Sequence, residues 1–314
     1  MHSQTQVSPL LEVRNLSVSF TRYGGGFKRK KMCVIRDLHV EIHPGEIVAV
    51  VGASGSGKSL LAHALLGILP GNASASGQMV YDGKPLTPHL IRKLRGREIA
   101  LVPQSVQFLD PLMRVGEQVR SAVRQGDAAE EQRKAFQRYR LEAKTARKYP
   151  FQLSGGMARR VLVSIAAVSG ARLLIADEPT PGLDPAVVHE TLRFFREQAD
   201  RGCAVMLITH DIEAALKVAD TVAVFYEGST VEIAAADDFN GKGEQLRHPY
   251  TKALWRALPQ NDFVPAEEQS GQFEAAEGRC AFINYCRNAT ATCGGPLPEL
   301  RALRGGWVRC VHAT

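Results

Sequence analysis

Residues 52–59, with the sequence GASGSGKS, have the composition and spacing of a phosphate-binding loop. They fit the pattern G-x-x-x-x-G-K-[ST] and lie between the apolar run 47–51 and a helical pattern, which is the context that this motif requires. Glycines let successive backbone N–H groups converge on phosphate oxygens, and the start of the next helix adds positive potential. Lys58 is expected to bridge the β- and γ-phosphates of a nucleotide, and Ser59 to ligate Mg²⁺. The predicted nucleotide-contacting residues of this segment are Gly52, Ser54, Gly55, Ser56, Gly57, Lys58, Ser59 and Leu60.

Two adjacent carboxylates, Asp177 and Glu178, follow an apolar run at residues 173–176. Asp177 is expected to hold Mg²⁺ through water, and Glu178 to orient and polarise the water that attacks the γ-phosphate. Phosphoryl transfer needs positioning and charge stabilisation more than covalent chemistry, so two acids at one strand end suit these roles. Solvated strand caps would look the same in isolation, but the phosphate loop in the same chain favours the catalytic interpretation.

Two further polar residues follow apolar runs of their own: His210 comes after residues 205–209, and Gln104 after residues 101–103. Because ligands of open α/β sheets bind at the carboxyl ends of the strands, both are predicted to lie near the carboxylates. His210 is expected to contact the γ-phosphate. Gln104 is expected to touch the metal or its water and to report the γ-phosphate to the helical region that follows. A structural histidine and an ordinary surface glutamine are the alternatives.

A second glycine-containing turn, LSGG at residues 153–156, opens another helical pattern. The Ser154 hydroxyl and the N–H groups of Gly155 and Gly156 would form a second anion site at this helix start.

The elements that must position these residues alternate between strands and helices. Residues from about 91 to 149 are rich in Arg, Gln, Ala and Glu, which favours helix. This alternation around a helical insert predicts an α/β core with parallel strands plus a helical subdomain. The predicted strands are 11–20, 34–42, 47–51, 173–177, 204–208 and 221–226, and the main predicted helices are 59–68, 185–202 and 212–219.

Composition and charge limit where the chain can be located and which partners it can bind. No stretch of about 18 apolar residues occurs, and the first residues lack the charged and apolar segments of a secretory signal, so the chain is expected to stay in the cytosol. The net charge of +7 is concentrated at residues 92–160, which carry 16 Lys/Arg against 7 Asp/Glu. Such a segment would suit nucleic acid, an anionic membrane surface or a solvated helical face.

In the order and spacing of these motifs, residues 11–259 resemble the nucleotide-binding subunit of an ABC transporter. The motifs are the phosphate loop, Gln104, the LSGG turn, Asp177-Glu178, residues 182–184 and His210. The resemblance implies an ATP hydrolase with bound Mg²⁺. The implied fold is a mixed sheet with a RecA-like core, an antiparallel β subdomain and a helical subdomain at about 91–165.

The same resemblance implies a head-to-tail dimer, in which each ATP lies between the phosphate loop of one chain and the LSGG turn of the other. Phe20 occupies the adenine-stacking position, with Tyr23 as the alternative, and Asp184 belongs to the loop that contacts the other subunit. Two departures from the family pattern stand out: Pro181-Gly182 in that loop, and Ala158-Arg159 directly after the LSGG turn.

Residues 248–259, HPYTKALWRALP, are similar to an element of the importer ATPases for oligopeptides, dipeptides and nickel. That group implies a peripheral position on the cytoplasmic face of the membrane, beneath two permease subunits fed by an external substrate-binding protein. It also implies a second, related ATPase subunit, or a second copy of this chain. Peptides and nickel chelates both remain open as cargo. A cytosolic ABC ATPase that acts on nucleic acid is the alternative, and the excess of positive charge is its only support.

Four of the six cysteines fall near the C-terminus, with the spacing C-x5-C-x6-C-x16-C. A cytosolic setting disfavours disulfides, and structural zinc sites prefer closer C-x2–4-C pairs. This region is similar to the cysteine-rich end of some peptide-importer ATPases, which implies a 4Fe–4S cluster; zinc and free thiols remain open. The predicted organisation is a nucleotide-binding domain at 1–258, a linker at 259–279 and a cysteine-rich region at 280–314. The four residues are Cys280, Cys286, Cys293 and Cys310.

Overall fold

The structure, a computed structural model, describes residues 8–23, 29–261, 263–264 and 278–314. The strands in these ranges are β1 (Leu11–Tyr23), β2 (Arg29–Ile42), β3 (Ile47–Gly52), β4 (Ala73–Tyr81), β5 (Lys84–Pro85), β6 (Ile99–Val102), β7 (Leu173–Asp177), β8 (Ala204–Thr209), β9 (Thr221–Tyr226), β10 (Ser229–Ala235), β11 (Arg301–Leu303) and β12 (Gly306–Val308). The helices are α1 (Lys58–Leu65), α2 (Pro88–Leu94), α3 (Val115–Ala122), α4 (Ala128–Arg138), α5 (Gly155–Ala167), α6 (Pro185–Asp200), α7 (Ile212–Leu216) and α8 (Pro249–Arg256).

The main sheet has eight strands in the order β11-β12-β10-β9-β3-β8-β7-β6. The five strands from β9 to β6 run parallel. Every residue of β3, β7 and β8 is buried, as expected for strands covered on both faces. Because the strands are parallel, β3, β8, β7 and β6 end at one edge of the sheet, and this edge carries the predicted nucleotide site.

A second, antiparallel sheet has the order β2-β1-β4-β5. Leu11, Leu16 and Ile35 from its inner face share one core with α1 and one face of the main sheet. The other face of the main sheet packs against α6, which contributes Phe194 and Phe195. The predicted α/β core with an antiparallel β subdomain is therefore confirmed.

The helical subdomain is also confirmed: α3, α4 and α5 pack around a core of their own that includes Val119, Phe136 and Leu162. On α4, the exposed Lys134 pairs with Glu131 at 2.9 Å. Arg138 reaches across to Glu190 of α6 at 2.7 Å, which ties the subdomain to the main sheet layer.

The C-terminal segment joins the main sheet, because β12 pairs antiparallel with β10 and β11 pairs with β12. Arg247 lies beneath this hairpin with its side chain 2% exposed, and it donates to Glu232, Asp238 and the carbonyl of Leu303. Most of the predicted linker at 259–279 lies outside the described residues.

Several predicted elements differ at their ends. The strands predicted over 11–20 and 34–42 span Leu11–Tyr23 and Arg29–Ile42, and the helix predicted over 185–202 ends at Asp200. The helix predicted over 59–68 runs from Lys58 to Leu65, and the helix predicted over 212–219 ends at Leu216. In both cases the following residues form turns in place of a further helical turn. In the described part of the chain, no helix has both the length and the apolarity needed to cross a membrane.

Candidate functional site

The phosphate loop joins β3 to α1 and is shaped by two glycines that no other residue could replace. Gly52 has φ +154°, and a Cβ there would lie 2.2 Å from the carbonyl oxygen of Phe225. Gly57 has φ +94°, and its Cβ would lie 2.8 Å from the side chain of Ile35. Both the backbone conformation and the close packing therefore require glycine.

Lys58 points back into this loop. Its Nζ donates to the carbonyl oxygens of Gly52 at 2.8 Å and Ala53 at 3.0 Å. Burial lowers the pKa of Lys58, and the carboxylates of Asp177 and Glu178 oppose that change. The Ser56 hydroxyl is buried and has no hydrogen-bond partner. The loop thus holds a buried cation and a spare hydroxyl where phosphate oxygens would be received.

Ser59 and Asp177 form the predicted metal position. The Ser59 hydroxyl, in the first turn of α1, donates to Oδ1 of Asp177 at 3.0 Å. Burial raises the pKa of Asp177, while the bond from Ser59 and the nearby His63 lower it. A hydroxyl beside a buried carboxylate is the kind of oxygen donor set that Mg²⁺ prefers, so these residues fit the ion. His63 was not singled out in the sequence, although it lies four residues after Ser59 on the same helix.

Glu178 and His210 meet at the ends of β7 and β8, where Nδ1 of His210 lies 2.9 Å from Oε1 of Glu178. Glu178 has φ +48°, a left-handed conformation that is uncommon for residues other than glycine. Its second carboxylate oxygen, Oε2, is buried and has no partner. One oxygen is thus oriented by histidine, and the other is left to accept a proton or a water hydrogen bond.

Arg159 supports the same residue from the helical subdomain, since its guanidinium donates to the carbonyl oxygen of Glu178 at 3.4 Å. The sequence marked Arg159 only as a departure from the family pattern. Its role could not be read from the sequence, because it depends on how α5 lies beside the end of β7.

The LSGG turn begins α5. The Ser154 side chain accepts from the N–H of Met157 at 3.3 Å and caps the helix. Ser154 and Gly155 are exposed, and a Cβ on Gly155 would meet no atom within 4 Å. A Cβ on Gly156 would lie 3.4 Å from the carbonyl oxygen of Gly182, so the turn abuts the loop that ends at Asp184. The helix start therefore faces outwards, away from the chain's own packing.

The remaining residues predicted to contact the nucleotide or the metal lie on several different elements. Asp184 caps α6 by accepting from the N–H of Val187 at 3.2 Å. Gln104 is exposed just beyond β6. Phe20 lies half-buried on β1 opposite Met32, and Leu60 packs partly against the core beneath the loop. The side chain of Tyr23 is outside the described residues.

The four C-terminal cysteines lie near one another as free thiols. Burial raises the pKa of Cys280 to about 11, and the thiols of Cys293, Cys310 and Cys286 add to the rise. Within the ranges that the structure describes, no three His, Cys, Asp or Glu side chains are grouped closely enough to hold one metal ion. The thiols therefore share a neighbourhood without converging on a single point.

The helical subdomain carries large exposed apolar side chains. Leu112 is 87% exposed, Phe151 75% and Phe108 52%. Phe151 stacks on Tyr149 with ring centroids 5.7 Å apart, so its ring is held in place while it faces solvent.

Comparison with known families and proteins gives consistent results. The family described as "ABC transporter" matches residues 35–181, and the family "Oligopeptide/dipeptide transporter, C-terminal region" matches residues 231–293. The oligopeptide transport ATP-binding protein OppD of Lactococcus lactis subsp. cremoris is 34% identical over 81% of this chain and 77% of its own length. The dipeptide transport ATP-binding protein DppD of Bacillus subtilis is 32% identical over 92% of this chain and 90% of its own.

Solved structures agree on the fold. An ATP-binding subunit of an ABC transporter superposes with a TM-score of 0.60 at 27% identity, covering 73% of this chain and 91% of that one. The dimeric bacterial ABC transporter cassette MJ0796 superposes with a TM-score of 0.61 at 25% identity, covering 72% and 98%.

Proposed function

This chain belongs to the ABC transporter family and is an ATP hydrolase of the oligopeptide and dipeptide group, and we propose that it is the ATP-hydrolysing subunit of a peptide importer. One observation carries the proposal: a phosphate loop, a Ser59–Asp177 pair and a Glu178–His210 pair line one sheet edge. The same chain carries the C-terminal region of peptide transporters over residues 231–293.

Each residue at this edge has a proposed task in hydrolysis. Lys58 leaves the carbonyls of its own loop for the β- and γ-phosphates, and the N–H groups at the start of α1 receive the remaining phosphate oxygens. Ser59 and Asp177 would hold Mg²⁺, which supplies charge neutralisation at the phosphates when bound. Glu178 orients the attacking water through Oε2, while His210 fixes the carboxylate and contacts the γ-phosphate. Gln104 links this edge to the helical subdomain.

ATP hydrolysis is proposed to need a second ATPase subunit. The LSGG turn faces outwards, so Ser154, Gly155 and Gly156 would complete the phosphate site of the other subunit, and Asp184 would lie at that contact. A related cassette, MJ0796, is described as dimeric, which supports this arrangement. We infer that the second subunit is a related ATPase, with a second copy of this chain as the alternative. The adenine would stack on Phe20.

Two membrane permease subunits are the proposed partners of the helical subdomain. The exposed side chains of Phe108, Leu112 and Phe151 offer them an apolar surface, and Gln104 lies just before the segment that bears two of these residues. Closure of the ATPase pair would thus be transmitted to the permeases. The chain would sit peripherally on the cytoplasmic face, with a substrate-binding protein acting on the other side.

The four cysteines are proposed to hold a 4Fe–4S cluster. A cubane cluster takes four cysteine ligands, and this segment offers four free thiols. Zinc needs all ligands within about 2.3 Å of one centre, which this arrangement supports less well. A bound cluster supplies negative charge and cross-linking to the segment, and Cys280 and Cys286 would anchor it against the main core.

Peptides are favoured over nickel chelates as cargo, because the relatives named above are oligopeptide and dipeptide transport proteins. The alternative of an ATPase acting on nucleic acid has little support. Its basic segment forms ion pairs such as Lys134–Glu131, which indicate a solvated helical face.

Reconstitution tests the proposal directly. The chain would be assembled with two permeases, a substrate-binding protein and a second ATPase of the same group, from the same organism, in ATP-loaded proteoliposomes. Peptide uptake that depends on ATP is expected. Uptake of nickel without peptide uptake would contradict the cargo assignment, and salt-sensitive DNA binding with no uptake would favour the nucleic-acid alternative.

A further inference from the structure

The backbone of Glu178 is held at both of its polar groups. Its N–H donates to the carbonyl oxygen of Ile208, on the neighbouring strand β8, at 2.9 Å. Its carbonyl oxygen accepts from Nη1 of Arg159, on α5, at 3.4 Å. Glu178 has φ +48° and precedes Pro179, and such a backbone persists only where neighbouring groups hold it. A strand on one side and an arginine on the other therefore support the conformation that aims the Glu178 carboxylate.

Arg159 makes this contact and no other hydrogen bond or ion pair of its side chain within the described ranges. The side chain is half-buried. A Cβ on Gly182 would stand 3.8 Å from Nε of Arg159, so the guanidinium lies between the end of β7 and the loop that leads to Asp184. Its position is explained by the support of Glu178 and not by a charged partner.

The same arginine lies on the helix that the LSGG turn opens. Gly155 is the first residue of α5, so about one helical turn separates it from Arg159. The first turn is braced further, because Nε of Arg160 donates to the carbonyl oxygen of Gly156 at 3.3 Å. A short, braced piece of helix moves as one unit, and such units carry coupling between sites. A displacement of the exposed turn therefore also displaces Arg159.

We propose that Arg159 is a positioning residue for Glu178, and that it couples the LSGG turn of this chain to the catalytic carboxylate of the same chain. The nucleotide held by the second subunit sets the position of the turn, and Arg159 passes that position to Glu178. Hydrolysis at one ATP site thus depends on occupancy of the other. This inference rests on the proposed hydrolysis of ATP by a pair of subunits and deepens it, because it names the residue that connects the two sites.

Arg159→Ala removes the hydrogen bond to the Glu178 carbonyl. In the assembled transporter its kcat is expected to fall about three- to tenfold, which is the range for one lost hydrogen bond. Its Kd for ATP, measured by equilibrium titration, is expected to stay at the wild-type value, because Arg159 does not contact the phosphate loop. Arg159→Lys keeps a cationic donor at this position and is expected to recover part of the lost kcat. A fall in affinity with unchanged kcat would contradict the positioning role.

Arg138→Ala is the matched control. Arg138 also ties the helical subdomain to the main sheet layer, but through Glu190 at 2.7 Å and Glu197 at 3.0 Å, both on α6. Its kcat is expected to stay within about twofold of the wild-type value, since partly exposed ion pairs contribute little. A loss equal to that of Arg159→Ala would show that general loosening of the subdomain lowers turnover, and would overturn the positioning role.

The coupling has its own test, in an ATPase pair whose second subunit carries glutamine in place of its catalytic glutamate, so that Glu178 performs the turnover. A Cβ on Gly155 meets no atom of this chain within 4 Å, so Gly155→Ala alters only what the turn contacts outside the chain. Gly155→Ala is expected to lower turnover about tenfold, and only about threefold in the Arg159→Ala background, because both changes act through one connection.

Two results would overturn this inference and leave the proposed function standing: an unchanged kcat in Arg159→Ala, or losses from Gly155→Ala and Arg159→Ala that simply multiply. Turnover by the wild-type chain that is no faster than that of Glu178→Gln would overturn the proposed function, and this inference with it.

Discussion

Nδ1 of His210 lies 2.9 Å from Oε1 of Glu178, across the ends of two adjacent parallel strands, while Oε2 of the same carboxylate is buried without a partner. The two oxygens of Glu178 are therefore not equivalent. One contacts the histidine, and the other is the oxygen that we propose receives the water that attacks the γ-phosphate. The left-handed backbone of Glu178, φ +48°, is the kind of local strain that is retained where a side chain must be aimed.

His210→Ala is expected to lower kcat for ATP hydrolysis by about 100-fold, because it removes the proposed γ-phosphate contact and the group that contacts Glu178. The Kd for ATP should change much less. Steady-state hydrolysis by the assembled transporter measures kcat, and equilibrium titration measures the Kd for ATP. His189→Ala, on the exposed face of α6, is the control and should hydrolyse normally. A His210→Ala variant with wild-type kcat would remove histidine from the mechanism.

Leu112→Glu and Phe151→Glu are each expected to lower ATP-driven uptake by about tenfold, because they place charge on a surface assigned to the permeases. Hydrolysis by the ATPase subunits without permeases should stay unchanged, as neither side chain touches the phosphate loop. Trp307→Glu changes an exposed apolar residue on β12, at the other end of the main sheet, and should transport normally. Equal losses in all three variants would argue against this docking surface.

Protein purified without oxygen is expected to be brown, with absorbance at about 400 nm and about four irons per chain. Cys286→Ser and Cys293→Ser should each lose the colour, because each removes one of the four proposed ligands. Cys33 lies on β2 and is not one of the four C-terminal cysteines. The Cys33→Ser variant is the control and should keep the brown colour. A colourless wild-type sample that contains zinc, or no metal, would show that the thiols do not hold a cluster.

Stability is expected to fall as the pH drops below the usual pKa of histidine, because of His248. Burial lowers the pKa of His248 to about 3, and its Nδ1 accepts from the N–H of Tyr250 at 3.0 Å. The unfolded chain binds the proton near pH 6.5, so this contribution to stability is full above that pH and is lost progressively towards pH 3. The expected loss from pH 7 to pH 5 is about 2 kcal/mol.

Chemical denaturation at both pH values measures this loss. His248→Asn keeps a side chain that can cap α8 but cannot titrate, so its free energy of unfolding should change less over the same range. An equal pH dependence in both proteins would show that other groups are responsible.

Sequence reasoning found the residues whose positions follow from local pattern. Asp177 ends β7, Glu178 and His210 come directly after β7 and β8, and Lys58 belongs to the glycine motif that follows β3. Parallel strands bring their carboxyl ends to one edge whatever the loops do. Contacts between distant segments could not be found this way. Arg159 reaches Glu178 only because of how α5 is placed beside the end of β7.

The C-terminal hairpin, β11 and β12, likewise depends on contacts with distant segments. Residues 301–308 form two strands of three residues each, and their sequence has no clear alternation of apolar and polar residues. They nevertheless extend the main sheet, because the edge of β10 is open to pairing with β12. Arg309 then anchors the segment by donating to the carbonyl of Thr230 at 3.0 Å. Such pairing depends on tertiary context, so the segment was predicted only as a cysteine-rich region.

The most direct test of the central claim is Glu178→Gln, compared with wild type in the same assembled transporter. The amide keeps the size of the side chain but cannot accept the proton of the attacking water. ATP should bind with a Kd near that of wild type, the ATPase subunits should stay associated in its presence, and turnover should fall by at least about 100-fold. Hydrolysis at the wild-type rate would contradict the assignment of this edge as the ATPase site.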